Sequence, residues 1–399
     1  MDIRPILSSL SRHKLATLLI VLEIAVACAI LCNAVFLIRE RLARMHIDTG
    51  IVERELVWLK TDGIGGDGAT ALLERNLVAL RGVPGVKSAA LVFPLPLANT
   101  SMNFTPHVDV ARTRTGPNIG MYVGSPGYLD TLGVKLVAGR RFSAEEFGET
   151  DSWLARSPVT IVTRALAERM WPGQDALGQA FWIGDKRYAV IGVVDHLVRG
   201  ELRGTASDYV AMFAARPSRL YSSLYALRVE PAARERVVRE AAELLLKLNP
   251  QMLINDKGSY PDLRAAYFRQ DAAMAWLLAV VCVALLIVTA LGIVGLTSFW
   301  VSQRRRQIGI RRALGARRGD ILRYFQLENF LIVSGGIVLG MLLAYAINLF
   351  LMPRYELPRL PLHYLPLGAA TLWLLGQLSV LGPARRAAAV PPVVATRSA

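Results

Sequence analysis

The chain of 399 residues contains few of the residues that catalytic sites and disulfide bonds require. It has only three cysteines and five histidines. Cys28, Cys32 and Cys282 all lie within long apolar runs, so the segment between those runs has no cysteine with which to form a disulfide bond. The histidines are scattered, without the H-E-x-x-H or other paired spacing that zinc sites use. The sequence therefore predicts neither a metal site nor a disulfide-stabilised domain.

Catalytic sequence motifs are also missing. No Walker lysine motif occurs in the chain, which excludes nucleotide hydrolysis by that route. Asp195-His196 follows a strand-like segment, but no G-x-S-x-G nucleophile motif accompanies it, and we interpret the pair as part of a turn. Gly63, Gly65 and Gly68 match the dinucleotide fingerprint G-x-G-x-x-G, yet no acidic residue follows the next strand-like segment to bind a ribose. We therefore predict no enzymatic activity and no cofactor on this chain.

Charged residues are scarce and unevenly distributed. They make up 19% of the chain, against 53% hydrophobic residues, a composition that favours a membrane protein. Residues 45–271 hold 27 basic and 25 acidic residues, a net charge of +2, and the rest of the chain holds 19 basic and 6 acidic residues, a net charge of +13. This positive excess lies beside the apolar runs, as the positive-inside rule predicts, so we expect a lipid bilayer and no nucleic acid as partner.

Four apolar runs are long enough to cross a hydrocarbon core, which takes about 20 residues. We predict transmembrane helices at residues 15–38, 272–300, 325–351 and 364–381. Basic residues before the first run, between the second and third, and after the fourth indicate that these flanks are cytoplasmic. Arg39, Arg41 and Arg44 lie on the other side of the first run and weaken this orientation without reversing it.

The remaining segments follow from these four helices. An external domain occupies residues 45–271, and a short external loop occupies residues 352–363. On the cytoplasmic side we predict an amphipathic interfacial helix at residues 1–14, with a plain tail as the alternative, then a loop at 301–324 and a tail at 382–399. Both termini are then cytoplasmic.

The external domain shows two β-α-β patterns. Strand-like and helical segments alternate at about residues 53–95 and again at about 220–256, and a segment rich in glycine, proline and short strands, about 99–216, lies between them. We expect the first and last pieces to pack together and the middle to form an inserted second lobe. The predicted fold class is an α+β membrane protein.

Two features of the apolar runs need an explanation. Glu23 lies well inside the first run, where a carboxylate costs about 2.5–3.5 kcal/mol on insertion scales, so it should face protein or a cavity. The alternatives are a proton or substrate contact, a hydrogen bond to a neighbouring helix, or simple protonation. Gly336, Gly340 and Ala344 recur at four-residue spacing in the third run and predict close helix packing, either in one bundle or in a dimer.

The loop between the second and third runs, "RRRQIGIRRALGAR", places apolar residues among arginines. If the loop is helical, Ile310 and Leu314 share one face, and Gly315 can end the helix. Apolar side chains within a cationic rim suit a groove on a partner protein. A surface of anionic lipid headgroups is the alternative.

This loop and the layout together resemble the permease subunits of MacB/FtsX-type ABC transporters. Those families show a (T/R)-x-R-E-I-G-I-x-(R/K)-A-x-G-A-x-x-x-x-I pattern here, which the chain matches at Arg306, Ile308, Gly309, Ile310, Arg312, Ala313, Gly315, Ala316 and Ile321. Glu328 occupies the position of the family's usual glutamate, and we expect it to lie near the headgroups. "GVKLVAGRRFSAEEF" and "YAVIGVVDH" are similar to the family's periplasmic core domain. The loop's usual glutamate is Gln307 here, which puts the details of partner contact in doubt.

The resemblance implies a location and a set of partners. It implies a bacterial inner-membrane subunit with its large domain in the periplasm, which dimerises with an identical or paralogous permease. A separate ABC ATPase dimer would hold ATP and magnesium, and its motion would be transmitted to the periplasmic domain. MacB-like members also join a membrane-fusion adaptor and an outer-membrane channel for efflux. The loop would then be a coupling helix that docks on the ATPase through Arg306, Gln307, Ile308, Gly309, Ile310, Arg311, Arg312, Ala313, Leu314, Gly315 and Ala316.

Three other functions share parts of this layout. FtsX-type regulators of envelope hydrolases usually have a smaller external domain than residues 45–271, which favours the export system. Lipoprotein-releasing permeases share the layout. A sensory receptor would need a cytoplasmic signalling domain, and few residues follow the last run.

Overall fold

The computed structural model describes residues 14–62, 68–150, 155–202, 207–217, 222–355 and 359–389. The interfacial helix predicted at residues 1–14 lies outside these ranges except for Lys14. Gly63 and Gly65 of the glycine-rich turn also lie outside them, as does the end of the predicted tail.

The chain divides into two compact units, one formed by Met1–His46 with Gln270–Ala399 and the other by Ile47–Arg269. The described α-helices are, in chain order, α1 (Lys14–Met45), α2 (Ala69–Arg81), α3 (Tyr128–Leu132), α4 (Arg164–Met170), α5 (Arg234–Leu248), α6 (Tyr260–Tyr267), α7 (Arg269–Gln303), α8 (Arg305–Ala313), α9 (Arg318–Tyr355) and α10 (Tyr364–Ala388). The strands are β1 (Leu56–Asp62), β2 (Val86–Phe93), β3 (Asn103–Phe104), β4 (Ile119–Gly124), β5 (Leu136–Gly139), β6 (Gly148–Thr150), β7 (Val159–Thr163), β8 (Ala180–Ile183), β9 (Lys186–Val194), β10 (Val210–Pro217), β11 (Ser222–Val229) and β12 (Leu253–Ser259). We call the unit formed by Met1–His46 with Gln270–Ala399 the helical unit, and the unit formed by Ile47–Arg269 the external unit.

Helices α1, α7, α9 and α10 are each long and apolar enough to cross a membrane. They contain the four apolar runs and extend beyond them. Helix α10 continues to Ala388 and includes Arg385 and Arg386, so the start of the segment that the sequence assigns to a tail is helical. The difference arises because hydropathy marks where a chain leaves the lipid, whereas arginine and alanine both favour continuing the helix into water.

Small residues bring α9 close to α1. A Cβ atom on Gly336 or on Gly340 would collide with α1, and at Gly340 it would meet Cys28. Asn33 of α1 donates a hydrogen bond from Nδ2 to the backbone oxygen of Ala344 at 3.1 Å. In the structure this stripe packs against α1 of the same chain, and a role in a dimer stays a prediction.

Helix α7 buries only a narrow face. Ala275, Cys282 and Thr289 are buried at seven-residue spacing, and Trp300 is buried near the end of the helix. Large apolar side chains elsewhere around α7 are exposed, among them Trp276, Leu277, Val280, Val283, Ile287, Val288, Leu291 and Phe299. In a bilayer these side chains would contact lipid chains, which are as apolar as leucine.

The two predicted β-α-β patterns interleave in the sheet of the external unit. Neighbouring strands run in the order β12-β1-β11-β2, and all three pairings are antiparallel. Strands β1 and β2 are therefore parallel, with β11 between them, as in the split β-α-β arrangement of ferredoxin-like folds. The distance between β1 and β2 suits α2, the helix that connects them. A helix is about 10 Å wide, and two strand separations of about 4.8 Å each add up to nearly the same width.

Alternate residues of β1 contribute to two different cores. Val57 and Leu59 belong to a buried cluster with residues of α2 and α5. Leu56 and Trp58 belong to a second cluster, which contains three buried tyrosines. This alternation follows from the two-residue period of side chains along a strand. Both faces of this part of the sheet are therefore covered.

The middle segment continues the same sheet. Strand β2 pairs with β4 only through Val92 and Phe93, and the order then runs β4-β10-β7-β9-β5. The segment predicted as a separate lobe at about 99–216 is thus joined to the first part by strand pairing. The sequence could not show this, because the pattern of a strand does not identify the strand beside it.

The two ends of the external unit are bonded to each other. Arg264 of α6 forms an ion pair with Glu53 and donates from Nη2 to the backbone oxygen of Ile47 at 2.7 Å. The chain therefore enters and leaves this unit at one place. Within the helical unit, Arg41 near the end of α1 forms an ion pair with Asp271 near the start of α7. The helix ends on either side of the insertion are thus also neighbours.

Candidate functional site

Helix α8 lies in the loop where the sequence predicts a coupling helix. Only Arg304 separates it from α7, and helical hydrogen bonds cross this break. The backbone nitrogen of Arg304 donates to the oxygen of Trp300 at 3.0 Å, and that of Ile308 donates to the oxygen of Arg304 at 2.9 Å. Arg304 itself has φ −102° and ψ 11°, outside regular helical values. Helix α8 therefore begins after a change of backbone conformation at one residue, Arg304, and helical hydrogen bonds cross this residue.

A glycine turn ends α8. Gly315 has φ +99°, a conformation that side chains disfavour and glycine allows. Its nitrogen donates to the oxygen of Arg312 at 3.2 Å, and the nitrogen of Ala316 donates to the oxygen of Arg311 at 3.0 Å. These two bonds form a Schellman motif, which satisfies carbonyl groups at the end of a helix. The structure thus places Gly315 where the sequence predicts the end of the helix.

The two faces of α8 differ in exposure. Ile308 is 6% exposed and belongs to the buried cluster of the helical unit, together with Ile321 and Phe325 of α9. Ile310 is 46% exposed and Leu314 is 83% exposed. Helix α8 therefore packs through Ile308 into the cluster that α9 and α10 share, and it turns two apolar side chains outward.

Arginines surround these outward apolar side chains. Arg305, Arg306 and Arg311 are exposed, and Arg312 is half-buried. The Arg311 guanidinium carbon lies 5.1 Å from the centre of the Tyr324 ring, a cation–π contact between α8 and α9. A cavity of about 110 Å³ beneath α8 is lined by residues that include Gln307, Ile308, Arg311, Ile321, Tyr324 and Phe325. Gln307, at the position of the family's usual glutamate, lies at this cavity.

Arg304 and Glu328 form a buried ion pair that the sequence does not predict. Arg304 Nη1 lies 3.0 Å from Glu328 Oε1 and 3.1 Å from Oε2. The two side chains are 13% and 2% exposed, so Glu328 is buried among the helices, and its depth relative to the headgroups stays a prediction. One feature of the sequence could have indicated this pair: Glu328 is the only acidic residue in the third apolar run, and a basic loop directly precedes that run. To identify which of the eight arginines of this loop pairs with Glu328, the positions of the helices must be known.

Glu23 of α1 faces α7. A Cβ atom on Gly292 would lie 2.7 Å from Oε2 and 2.9 Å from Oε1 of this carboxyl group, so the glycine leaves room for it. Oε1 is buried and has no hydrogen-bond partner among the residues that the structure describes. The carboxyl group therefore faces protein, as the sequence predicts, and its role stays a prediction.

The residues that could suggest catalysis have structural contacts. Asp195 follows the end of β9 and lies 3.0 Å from Arg164 Nη2. His196 Nε2 lies 2.8 Å from the backbone oxygen of Asp48. Within the described ranges, no group of three or more His, Cys, Asp or Glu side chains is placed to hold a metal ion. The contacts of Asp195 and His196 agree with their interpretation as a turn.

The fold defines a class of membrane protein. One spanning helix precedes a large α+β domain, and three spanning helices follow it. A short basic helix, α8, lies between the spanning helices α7 and α9. Two family models match this layout. The model of the MacB-like periplasmic core domain matches residues 18–245, more than half of the chain, and that of the FtsX-like permease C-terminal region matches residues 279–392. The chain therefore belongs to the MacB/FtsX-type family of ABC transporter permeases.

Several curated proteins are similar to this chain along much of its length. The uncharacterized ABC transporter permease YknZ of Bacillus subtilis (strain 168) is 25% identical over 99% of this chain and 98% of its own length. The macrolide export ATP-binding/permease protein MacB 2 of Aeromonas hydrophila subsp. hydrophila is 26% identical over 98% of this chain and 60% of its own. MacB of Escherichia coli (strain K12) is 26% identical over 81% of this chain and 48% of its own. The chain thus spans about half of these two MacB relatives.

Two solved structures also match part of the chain. The extracellular domain of the noncanonic ABC-type transporter YknZ from Gram-positive bacteria covers 50% of this chain and all of its own, at 16% identity and a TM-score of 0.33. The periplasmic region of MacB from Actinobacillus actinomycetemcomitans covers 56% of this chain and 97% of its own, at 14% identity and a TM-score of 0.36.

Proposed function

We propose that this chain is the permease subunit of a MacB-like ABC export system and that it transmits the motion of a separate ATPase to its external unit. The observation that supports this most is the arrangement of α8. Ile308 anchors the helix to α9, while Ile310 and Leu314 remain exposed within a rim of arginines. No contact within the described parts of the helical unit covers Leu314, which is 83% exposed.

A protein groove suits this surface better than a lipid surface does. Arginines alone would bind anionic headgroups, at about 1 kcal/mol for each charge. Apolar anchors at the centre of a charged rim are the pattern of protein–protein interfaces, where a few buried side chains supply most of the affinity. Because α8 also ends in a defined turn at Gly315, it presents Ile310 and Leu314 in a fixed register.

The ATPase is a dimer that binds ATP and magnesium, and the permease pairs with a second permease, identical or paralogous. A membrane-fusion adaptor and an outer-membrane channel complete the export route. The chain lies in the inner membrane of a bacterium, with both termini and α8 in the cytoplasm and the external unit in the periplasm. The MacB relatives are named ATP-binding/permease proteins, which supports the pairing with an ATPase.

The docking claim can be tested by co-purification. We would co-express the chain with the ABC ATPase encoded nearest to it and replace Ile310 and Leu314 together with aspartate. The double variant should lose the ATPase from the purified complex, because it places two carboxylates where the partner's apolar groove would be. Gly319→Asp is the matched control: it adds negative charge to the same loop, a side chain there meets nothing within 4 Å, and an acid suits the start of α9.

Two outcomes would contradict docking through these side chains. One is an Ile310→Asp/Leu314→Asp variant that retains the ATPase as the wild type does. The other is a Gly319→Asp variant that loses it equally, because the loop's net charge would then decide binding and not its apolar anchors.

A further inference from the structure

The buried pair Arg304–Glu328 lies at the base of α8, where that helix leaves the spanning helices. We propose that this ion pair fixes the orientation of α8 on α9, so that a force applied to α8 displaces α9 as well. Arg304 and Glu328 are thus positioning residues for the docking helix. The inference rests on the proposed docking of an ATPase on α8.

The surroundings of Glu328 keep the pair closed. Glu328 lies beside a small cavity whose lining is mostly apolar, with Thr297 of α7 and Asn329 of α9 as its other polar residues. A buried carboxylate is stable in its ionised form only while charged or polar groups compensate it. Moving Arg304 away would remove the guanidinium that lies 3.0 Å from this buried carboxylate, so the junction resists separation.

Arg304 is held from two sides. Its Nη1 contacts both oxygens of Glu328, and its guanidinium carbon lies 5.7 Å from the centre of the Trp300 ring. A charged hydrogen bond is directional, whereas the apolar contact of Ile308 with α9 is not. Because Arg304 is the only residue between α7 and α8, fixing its side chain sets the angle at which α8 leaves α7.

The turn that carries Glu328 is itself connected to other helices. The next residue, Asn329, is buried and donates from Nδ2 to the backbone oxygen of Gly376 in α10 at 3.0 Å. Further along α9, Gly336 and Gly340 contact α1. A displacement of α8 that reaches Glu328 therefore acts on α1, α9 and α10 together.

A distance measurement tests the positioning role without any ATPase. We would attach spin labels to cysteines at Leu314, at the end of α8, and Arg385, on α10, both exposed, in the full chain in lipid nanodiscs. Labelled chain diluted with excess unlabelled chain, so that only distances within one chain are measured, should give one narrow distance distribution in the wild-type background. Arg304→Gln and Glu328→Gln should broaden and shift it, and Arg304→Lys should broaden it less because it keeps the charge but loses the planar guanidinium.

Arg305→Gln is the matched control. It removes the same charge from the neighbouring residue, which is exposed and forms no ion pair within the described part of the chain. Its distance distribution should match the wild type. Unchanged distributions in both Arg304→Gln and Glu328→Gln would overturn the proposal, as would an equal broadening in Arg305→Gln. If Arg304→Gln fails to fold, Glu328→Gln and Arg304→Lys still decide the question.

A second measurement separates this proposal from the docking proposal. With the ATPase encoded nearest to the chain, Glu328→Gln should weaken binding much less than Ile310→Asp/Leu314→Asp does, because Glu328 is buried away from the exposed side chains that would meet the ATPase. Its stimulation of ATP hydrolysis should fall by about five-fold or more, the lower end of usual coupling between sites. A Glu328→Gln variant that binds as weakly as Ile310→Asp/Leu314→Asp would assign Glu328 to docking and overturn its positioning role. If the wild type does not bind the ATPase, docking fails, and the spin-label result still stands or falls by itself.

Discussion

The external unit and the helical unit fill their interiors with different side chains. In the external unit, Tyr122 and Tyr128 are fully buried, and each hydroxyl donates to a backbone oxygen, Tyr122 to Val198 at 2.7 Å. Burial raises the pKa of both phenols well above the usual value. In the helical unit, glycines such as Gly336 and Gly340 lie against α1, and buried amides such as Asn329 bond one helix to another.

The difference reflects the solvent of each unit. In water, burying large apolar side chains is the main source of stability, so the external unit gains most from its aromatic and leucine cores. Within lipid there is no such driving force between helices, and association depends on close approach and on polar bonds between helices. We therefore expect the external unit to depend most on its large buried side chains, and the helical unit on close helix approach and on polar bonds between helices.

Removing volume from the external unit should have the largest effect. Leu59→Ala truncates a side chain that is fully buried between β1 and the helices α2 and α5. We expect a loss of about 2–5 kcal/mol in the free energy of unfolding, because a cavity remains. Scanning calorimetry of the full chain in detergent would measure it. Leu253→Ala is the control, since Leu253 is 65% exposed in the same unit. Similar losses in both variants would contradict a dependence on buried volume.

Adding volume to the helical unit should have the next largest effect. In Gly340→Leu the new side chain meets backbone atoms of Ala25 in α1, which cannot move aside without separating the helices. We expect a loss of about 1–3 kcal/mol, the usual range for overpacking. The measurement is the midpoint of thermal aggregation in detergent. Gly335→Leu, in the same helix, meets nothing within 4 Å and should behave as wild type. An unchanged midpoint for Gly340→Leu would refute close packing at this position.

A surface ion pair of the external unit should have the smallest effect. Arg140 Nη2 lies 2.7 Å from Glu146 Oε1, and hydrogen bonds from Arg140 lower the pKa of Glu146. A lowered pKa stabilises the fold above the unfolded value of about 4.3, and this contribution is lost as the pH falls through the folded value. We therefore expect Glu146→Gln to cost at most about 1 kcal/mol at neutral pH.

The check for this pair is a pH series. Thermal midpoints of wild type and Glu146→Gln should differ at pH 7 and converge as the pH approaches 3. Glu145→Gln is the control, because Glu145 is exposed beside Glu146 and should show no such convergence. A difference that persists at low pH would contradict the assigned cause.

The sequence predicts some levels of this structure and not others. Long apolar runs identify the spanning helices, because length and composition are local properties that the chain displays directly. Strand and helix order in the external unit is equally local. The interleaving of β1 between β11 and β12 is not, since it depends on which edges meet after the chain has folded back.

The candidate site shows the same division. Gly315 ends α8 by local backbone chemistry, so the sequence predicts that turn. The exposure of Ile310 and Leu314 follows from helical spacing once Ile308 is known to face α9. The pair Arg304–Glu328 joins the break before α8 to α9, and the segment from Arg304 to Arg323 contains eight arginines. Only the packed helices select one of them as the partner of Glu328.

The position of β1 has a consequence for biosynthesis. It pairs Leu56 with Arg228 on one side and Val57 with Ser259 on the other, so both neighbouring strands are made much later than β1 itself. At the usual rate of about 5–20 residues per second, roughly ten to forty seconds pass before those strands leave the ribosome. During that time α1 is already available for membrane insertion, while β1 has two open edges. The nascent external unit must therefore be kept from pairing with other chains until its last strand arrives.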